Sequence, residues 1–414
     1  MKFGIISPPV SGHIHPFGAL GRELIARGHR VAYLQMPDLQ EKISSEEIEF
    51  LEVGASDHPR GSLPESLAQL GRLQGLAALR FTIRAVARTS NMVCRDAPGA
   101  IRQAGIDALL VDQMEPAGGA VAEHLGLPFI TVCNALAINR DPITPPPFTD
   151  WNYQNSGWAK IRNVVGYAAS DWLTRPIANV VGGYREMWKL PALRSPDDTF
   201  SRLAQICQMP RAFDFPRPQL PDTFHYVGPL RRARPAPVPF PWERLDGRPL
   251  VYASLGTLQN SREPLFRCFA AACQGLDVQL VMSHGGGLNA QQAGNLPGAP
   301  LVVPYAPQEE LLARAQLTIT HAGLNTVLDS LANNVPLVTV PITYEQPAIA
   351  RRVGWTGSGR SISMGRLESG RLRQLVRTVL QDDRFRHAAR RIGDDIKKAG
   401  GVRRAADIVE EALQ

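Results

Sequence analysis

Four prolines at alternate positions, Pro235, Pro237, Pro239 and Pro241, divide the chain into two large parts. A proline ring fixes φ and removes the N–H donor, so neither a helix nor a central strand passes through such a run. The stretch RRARPAPVPFPWERLDGRP therefore reads as part of an extended linker over 229–248. On each side of it one rhythm repeats: a short apolar run closed by a turn, an amphipathic helix, then another apolar run. Such alternation predicts two doubly wound α/β domains, at 1–228 and 249–414.

In the first half, KFGIISPP predicts a strand and SGHIHP a loop, followed by a helix with Phe17, Leu20, Leu24 and Ile25 on one face. Gly28 stops that helix, and VAYLQ, 108–112 and 128–133 supply further strands. After the linker, LVYASLGT, QLVMSHG, LVVPYAP, LTITHAG and PLVTVP repeat the pattern. Open sheets of this kind bind ligands beyond the carboxyl ends of their strands, which directs attention to a cleft between the domains. The last helix is a candidate for packing back on the N-terminal domain.

Residues 140–190 break the rhythm. Trp151, Trp158, Trp172 and Trp188 lie there, interleaved with Tyr153, Tyr167 and Tyr184. Either this is a helical insertion packed on its own domain, or it forms an apolar acceptor pocket or a membrane-facing surface. The leucine-rich, arginine-bearing 70–88 segment carries the same two readings.

The net charge of +7 invites a nucleic-acid reading, but only six of the 45 cationic side chains are Lys and they gather into no block. Scattered arginines read as a solvated surface, so no nucleic-acid partner is expected. Cys94, Cys133, Cys207, Cys268 and Cys273 form no CxxC pair, which fits buried thiols in a reduced, cytoplasmic protein. The N-terminal apolar run is too short for a signal peptide, and no apolar stretch reaches membrane-spanning length. The P-loop, GxGxxG, GxSxG and Asp-x-Asp patterns are all missing, and no metal site is expected.

The strongest segment runs from Tyr305 to Gln346. A strand ends at His321-Ala322-Gly323 and a helix begins near Leu324-Asn325-Thr326. Backbone N–H groups at a helix start favour an anion, and His321, Asn325 and Thr326 add donors beside Gly323. Asp329, one turn deeper, is suited to accept from ribose hydroxyls, and Glu345-Gln346 to grip sugar hydroxyls. This pattern resembles the donor signature of GT-B family 1 glycosyltransferases: aromatic-x-Pro-Gln, His-x-Gly-x-Asn-[ST], an acid four past the Asn, and an acid-Gln close.

The resemblance implies the GT-B fold, two Rossmann-like doubly wound domains facing across a cleft. It further implies that Tyr305 stacks on uracil, Gln308 reads the nucleoside, His321 and Asn325-Thr326 hold the diphosphate, Asp329 the ribose and Glu345-Gln346 the sugar. Against the plant form of the motif, Tyr305 and Leu324 stand for Trp, Thr326 for Ser, Asp329 for Glu and Glu345 for Asp. Gly12-His13-Ile14-His15-Pro16 resembles the family's Gly-His-x-x-Pro turn, which makes His13 the general base with Asp112 orienting it; His15 is the competing base. An imidazole suits that task, being largely neutral near pH 7. Thr257, in Ser254-Leu255-Gly256-Thr257, matches the family's turn beside the α-phosphate. His284-Gly285-Gly286-Gly287 is either a flexible loop or a wall of the nucleotide cleft.

VDQMEPAGGAVAEHLGLPF, YASLGTLQ, YVGPLR and HAGLNTVLD narrow the resemblance to the bacterial zeaxanthin glucosyltransferase branch. That branch implies a UDP-glucose donor as substrate, no cofactor, a lipophilic hydroxylated carotenoid acceptor, and inverting transfer. Peripheral contact with the inner face of the cytoplasmic membrane would suit such an acceptor. A macrolide or polyketide glycosyltransferase shares every donor motif, a UDP-sugar epimerase shares the fold, and a non-catalytic nucleotide- or carotenoid-binding protein is the remaining alternative.

Overall fold

The computed structural model describes residues 1–73, 75–232, 237–256 and 262–414. Its first sheet is built from β1 (Lys2–Ile6), β2 (Arg30–Gln35), β3 (Glu49–Glu52), β4 (Ala108–Asp112), β5 (Phe129–Cys133), β6 (Gln205–Cys207) and β7 (Phe224–Tyr226). The strands are all parallel, in the order β3-β2-β1-β4-β5-β6-β7. The second sheet contains β8 (Leu250–Ser254), β9 (Gln279–Ser283), β10 (Leu301–Val303), β11 (Ala315–Thr320), β12 (Leu337–Thr339) and β13 (Gly359–Ser361). It too is parallel, in the order β10-β9-β8-β11-β12-β13. These are two Rossmann-like α/β domains, and β1, β4, β8 and the inner part of β11 are buried because helices cover both faces of each sheet.

Strand order reverses between β1 and β4 in the first sheet and between β8 and β11 in the second. At these switch points the connections on either side leave in opposite directions and open a crevice at the carboxyl ends. Ile6 pairs with Val111 and Ser254 with Thr320, so the segments leaving each pair of strands start side by side.

One expectation is corrected where β1 ends. SGHIHP is not a loop but the opening of the helix Ser11–Ala26. Pro16 is tolerated in its second turn because only the N–H toward Gly12 is lost there. Phe17, Leu20 and Leu24 are buried as the apolar pattern requires, but Ile25 is 38% exposed, off the core-facing stripe. Gly28 follows the helix with φ +91°, a conformation that favours glycine.

Two apolar layers flank the first sheet. Another core joins the domains: Cys133, Met209 and Phe213 pack with Leu324, Leu328, Ile349 and Val353. Inside this junction Asp214, Arg217 and Arg352 are all buried. Arg352 donates to Asp214 Oδ1 at 2.8 Å and Arg217 to Oδ2 at 2.8 Å. The final helix, Gly401–Ala412, places Ala405, Ala406, Ile408 and Val409 in the core of the first domain. Arg27 caps that contact with bonds to Asp407 and Glu410, each 2.7 Å.

The tryptophan-rich region contains the long helix Gly157–Met187, which packs on the helix Gly75–Ala104. Its buried side carries Ala159, Asn163, Tyr167, Val181 and Arg185. Among the described residues no helix is long and apolar enough to cross a membrane. Residues 233–236 of the proline-rich stretch lie outside the described residues.

Candidate active site

His13, in the first turn of the helix Ser11–Ala26, stands against Asp112 at the end of β4. Its Nδ1 donates to Asp112 Oδ2 at 2.7 Å, and the imidazole is 15% exposed while Asp112 is fully buried. The same oxygen accepts from Asn134 Nδ2 at 2.9 Å, and Oδ1 accepts from the Met114 N–H at 2.8 Å. The carboxylate is therefore held on both oxygens, and its bond to Nδ1 leaves His13 Nε2 as the proton acceptor. Burial pushes the imidazole pKa down, but attraction and hydrogen bonding from Asp112, with the charge of Glu345, outweigh it and the net shift is upward.

His15 has a different setting. Its Nδ1 lies 3.2 Å from Glu46 Oε1 and its side chain is 60% exposed. Desolvation by the surrounding cleft walls and the nearby cations Lys42, Arg232 and Arg231 lower its pKa to about 4. Of the two histidines, only His13 meets a carboxylate at a switch point of the sheet.

A cavity of about 3220 Å³ runs along the cleft past His13. On the second-domain side it is lined by Gly256, Tyr305, Gln308, His321, Gly323, Asn325, Thr326, Glu345 and Gln346. On the first-domain side its wall is largely apolar, including Leu67, Leu79, Ile83, Trp151, Tyr167, Leu173 and Val181. Polar, anion-compatible groups and an apolar trough thus meet at one imidazole. Thr257 lies outside the described residues.

His321 follows β11 and is packed between two glycines. A Cβ on Gly256 would come within 2.8 Å of its Cε1, and a Cβ on Gly323 within 2.6 Å of its Nε2. Burial lowers its pKa to about 4, so it meets a ligand as a neutral imidazole. The helix Leu324–Ala332 begins directly after Gly323 and turns its N-terminus toward this pocket. Asn325 Nδ2 donates to the Gly12 carbonyl at 3.0 Å, across the cleft. Tyr305 is 62% exposed, its ring open for stacking.

Asp329 is placed differently from the sequence expectation. It does not line the cavity but sits behind Gln308 and Arg231. Gln308 Nε2 donates to its Oδ2 at 2.7 Å and Arg231 Nε to its Oδ1 at 2.6 Å. The reason is helical geometry: one turn along from Asn325 the side chain projects deeper into the helix-packing layer. Gln346 is likewise partly engaged, its Oε1 accepting from the Ile342 and Thr343 N–H groups at 2.9 and 3.0 Å. Glu345 is near enough to feel His13, and burial raises its pKa. His284 accepts from the Leu288 N–H at 3.0 Å through Nδ1 and pins its turn, while Gly285 lines the cavity.

Sequence reasoning missed Asn134, Arg231 and Glu115. Arg231 links the domains through Asp329 and Asn325, with Nη2 3.2 Å from Asn325 Oδ1. Burial pushes the Glu115 carboxyl, on the cavity wall, up to about 7. YVGPLR and VDQMEP contained two of these residues, but no spacing rule links them to partners some hundred residues away or to a cavity wall.

The profile described as "UDP-glucoronosyl and UDP-glucosyl transferase" matches residues 95–398, and a "Glycosyltransferase family 28 N-terminal domain" profile matches residues 11–131. A zeaxanthin glucosyltransferase of Pantoea ananas is 38% identical over 99% of this chain and 96% of its own. One of Pseudescherichia vulneris is 37% identical over 99% of this chain and 98% of its own. Among solved structures, the glycotransferase of kitacinnamycin superposes with a TM-score of 0.76 at 22% identity, covering 99% of this chain and 98% of its own. The sequence matches and the shared two-domain architecture establish that this chain belongs to the UDP-glucuronosyl and UDP-glucosyl transferase family and is a GT-B family 1 glycosyltransferase.

Proposed function

We propose that the protein transfers glucose from UDP-glucose to the hydroxyls of a hydroxylated carotenoid, giving first the mono- and then the diglucoside of zeaxanthin. The observation that carries the reading is the His13–Asp112 pair, held at 2.7 Å where the apolar trough meets the anion-compatible groups. The names of the two carotenoid-glucosylating relatives support the acceptor and the sugar.

In this reading His13 Nε2 takes the proton of the acceptor hydroxyl as its oxygen attacks the anomeric carbon. Asp112 holds the imidazole in register and stabilises the imidazolium that forms. The anomeric C–O bond to the diphosphate breaks on the opposite face, so configuration inverts and a β-glucoside results. Negative charge growing on the leaving UDP is met by neutral His321, Asn325, Thr326 and the N–H groups of the helix start, without a metal. Tyr305 stacks on the uracil, Glu345 and Gln346 hold the sugar, and Asp329 serves the ribose end from behind by fixing Gln308, which faces the cavity. The α-phosphate falls to Thr257 on the sequence resemblance alone.

The test incubates purified protein with UDP-glucose and detergent-dispersed zeaxanthin, with a macrolide panel in parallel. Mass-spectrometric detection of mono- and dihexosylated zeaxanthin is expected. Transfer to macrolides alone would replace the acceptor, and release of an altered UDP-sugar without acceptor would replace the reaction.

A further inference from the structure

On the outer face of the helix Gly157–Met187, Trp158, Ile161, Val165, Ala168 and Trp172 recur at 3-4-3-4 spacing and are all exposed. The two tryptophans are 70% and 71% exposed and Val165 is 62%. A soluble surface rarely carries such a continuous apolar stripe without a partner. Cations accompany it. Lys160 and Arg175 lie within the same stretch of helix, and on the neighbouring helix Gly75–Ala104 exposed Arg80, Arg84 and Arg88 follow one another at four-residue spacing. None of these five is ion-paired among the described residues.

Acidic groups are nearly missing from both helices. The outer one carries only Asp171, paired to Arg140, before Glu186 in its last turn. The neighbouring helix has only Asp96, paired to Arg95. Leu79 and Leu173, one from each helix, are partly exposed and also line the cavity, as does Arg84. The apolar stripe, the cations and a mouth of the acceptor trough therefore belong to one helix pair.

We propose that this helix pair is a docking surface for an anionic lipid bilayer. The tryptophan stripe sinks to the headgroup–acyl boundary, and the unpaired cations meet lipid phosphates. Charge complementarity selects this occupant over a second copy of the chain, which would set the same cations against each other. A lipophilic acceptor dissolved in the bilayer then enters beside Leu79 and Leu173. This last step rests on the carotenoid reading; the docking does not.

The experiment compares co-sedimentation with vesicles of phosphatidylcholine alone and of phosphatidylcholine with phosphatidylglycerol. Wild type, the double variant Trp158→Ser/Trp172→Ser and the double variant Lys160→Glu/Arg175→Glu are compared, and thermal melting checks the fold of each. None of these four residues lines the cavity. The expected result is salt-sensitive binding of wild type to the anionic vesicles, weakened about tenfold or more in each variant. Transfer to vesicle-dissolved zeaxanthin falls in the variants while transfer to detergent-dispersed zeaxanthin stays at the wild-type rate. No binding by wild type to anionic vesicles, or equal binding by wild type and variants, overturns the proposal. So does a wild-type dimer in ultracentrifugation that the tryptophan variant dissolves. Vesicle binding without transfer to carotenoid in either medium leaves the docking standing and removes the acceptor assignment.

Discussion

The side-chain amide of Asn325 donates to the main-chain carbonyl of Gly12 across the cleft, at 3.0 Å. That carbonyl needs a partner because Pro16, four residues on, has no N–H to return to it. A proline within the first domain's leading helix thus exposes an acceptor that the second domain satisfies. Asn325 Oδ1 meanwhile accepts from Arg231, so the polar pocket of the second domain and the helix that carries His13 are tied through one amide.

Asn325→Ala removes both bonds and leaves the Gly12 carbonyl unpaired. A lost bond of this kind costs about 1–3 kcal/mol, so UDP affinity measured by calorimetry should fall about tenfold or more. Unchanged affinity would mean that the amide serves neither the ligand nor the closure.

His13→Ala should abolish transfer, by about 10²–10⁴-fold at least, while UDP binding persists. In wild type the raised His13 pKa should set the acid limb of the rate profile. Transfer falls as pH drops through a value above the ordinary 6.5, because protonated His13 cannot act as base. Asp112→Asn should move that limb to lower pH and slow the plateau. The same pair stabilises the fold most below 6.5, and this contribution is lost as pH rises through the raised value. A limb that stays in place in Asp112→Asn would disconnect His13 from the profile.

Gly323→Ala tests the packing around His321. The new Cβ would lie 2.6 Å from Nε2, so the imidazole must swing away. Gly323 has φ −64°, so alanine brings no backbone strain and the melting temperature should change little. UDP binding should weaken about tenfold by calorimetry. Full affinity at an unchanged melting temperature would remove His321 from the donor site.

Asp214→Ala strands the buried guanidinium groups of Arg217 and Arg352. Breaking such a cluster costs about 3–5 kcal/mol, readable in urea unfolding. Burial favours the neutral acid, but the two arginines outweigh it and lower the Asp214 pKa. The stability it confers is therefore full above the unfolded carboxyl value near 3.8 and lost as pH falls through the lowered one. A variant as stable as wild type would show that the domain junction does not depend on this cluster.

Several strands escaped the sequence because they are short and lack the contiguous apolar run that marks the equally short β10 and β12. β6, β7 and β13 have three residues each, too few to show a period, and they exist through pairing with a neighbour. The loop expected at SGHIHP failed for the opposite reason. Its polar residues and proline look like a turn, but the helix tolerates them where the cleft supplies partners for Ser11, Gly12 and His13.

The local pattern by itself determined two α/β halves, the helix start after His321, and the side-chain types available at each candidate site position, because periodicity, glycine and side-chain type act over a few residues. Only the tertiary structure decided which groups act together. His13 and Asp112 are 99 residues apart and meet because β1 and β4 are neighbours at a switch point. Asp329 was drawn to Arg231 and Gln308, 98 and 21 residues away, rather than left open to the cleft. A buried carboxylate goes to the nearest donors that folding provides, and strand order and domain docking choose those donors.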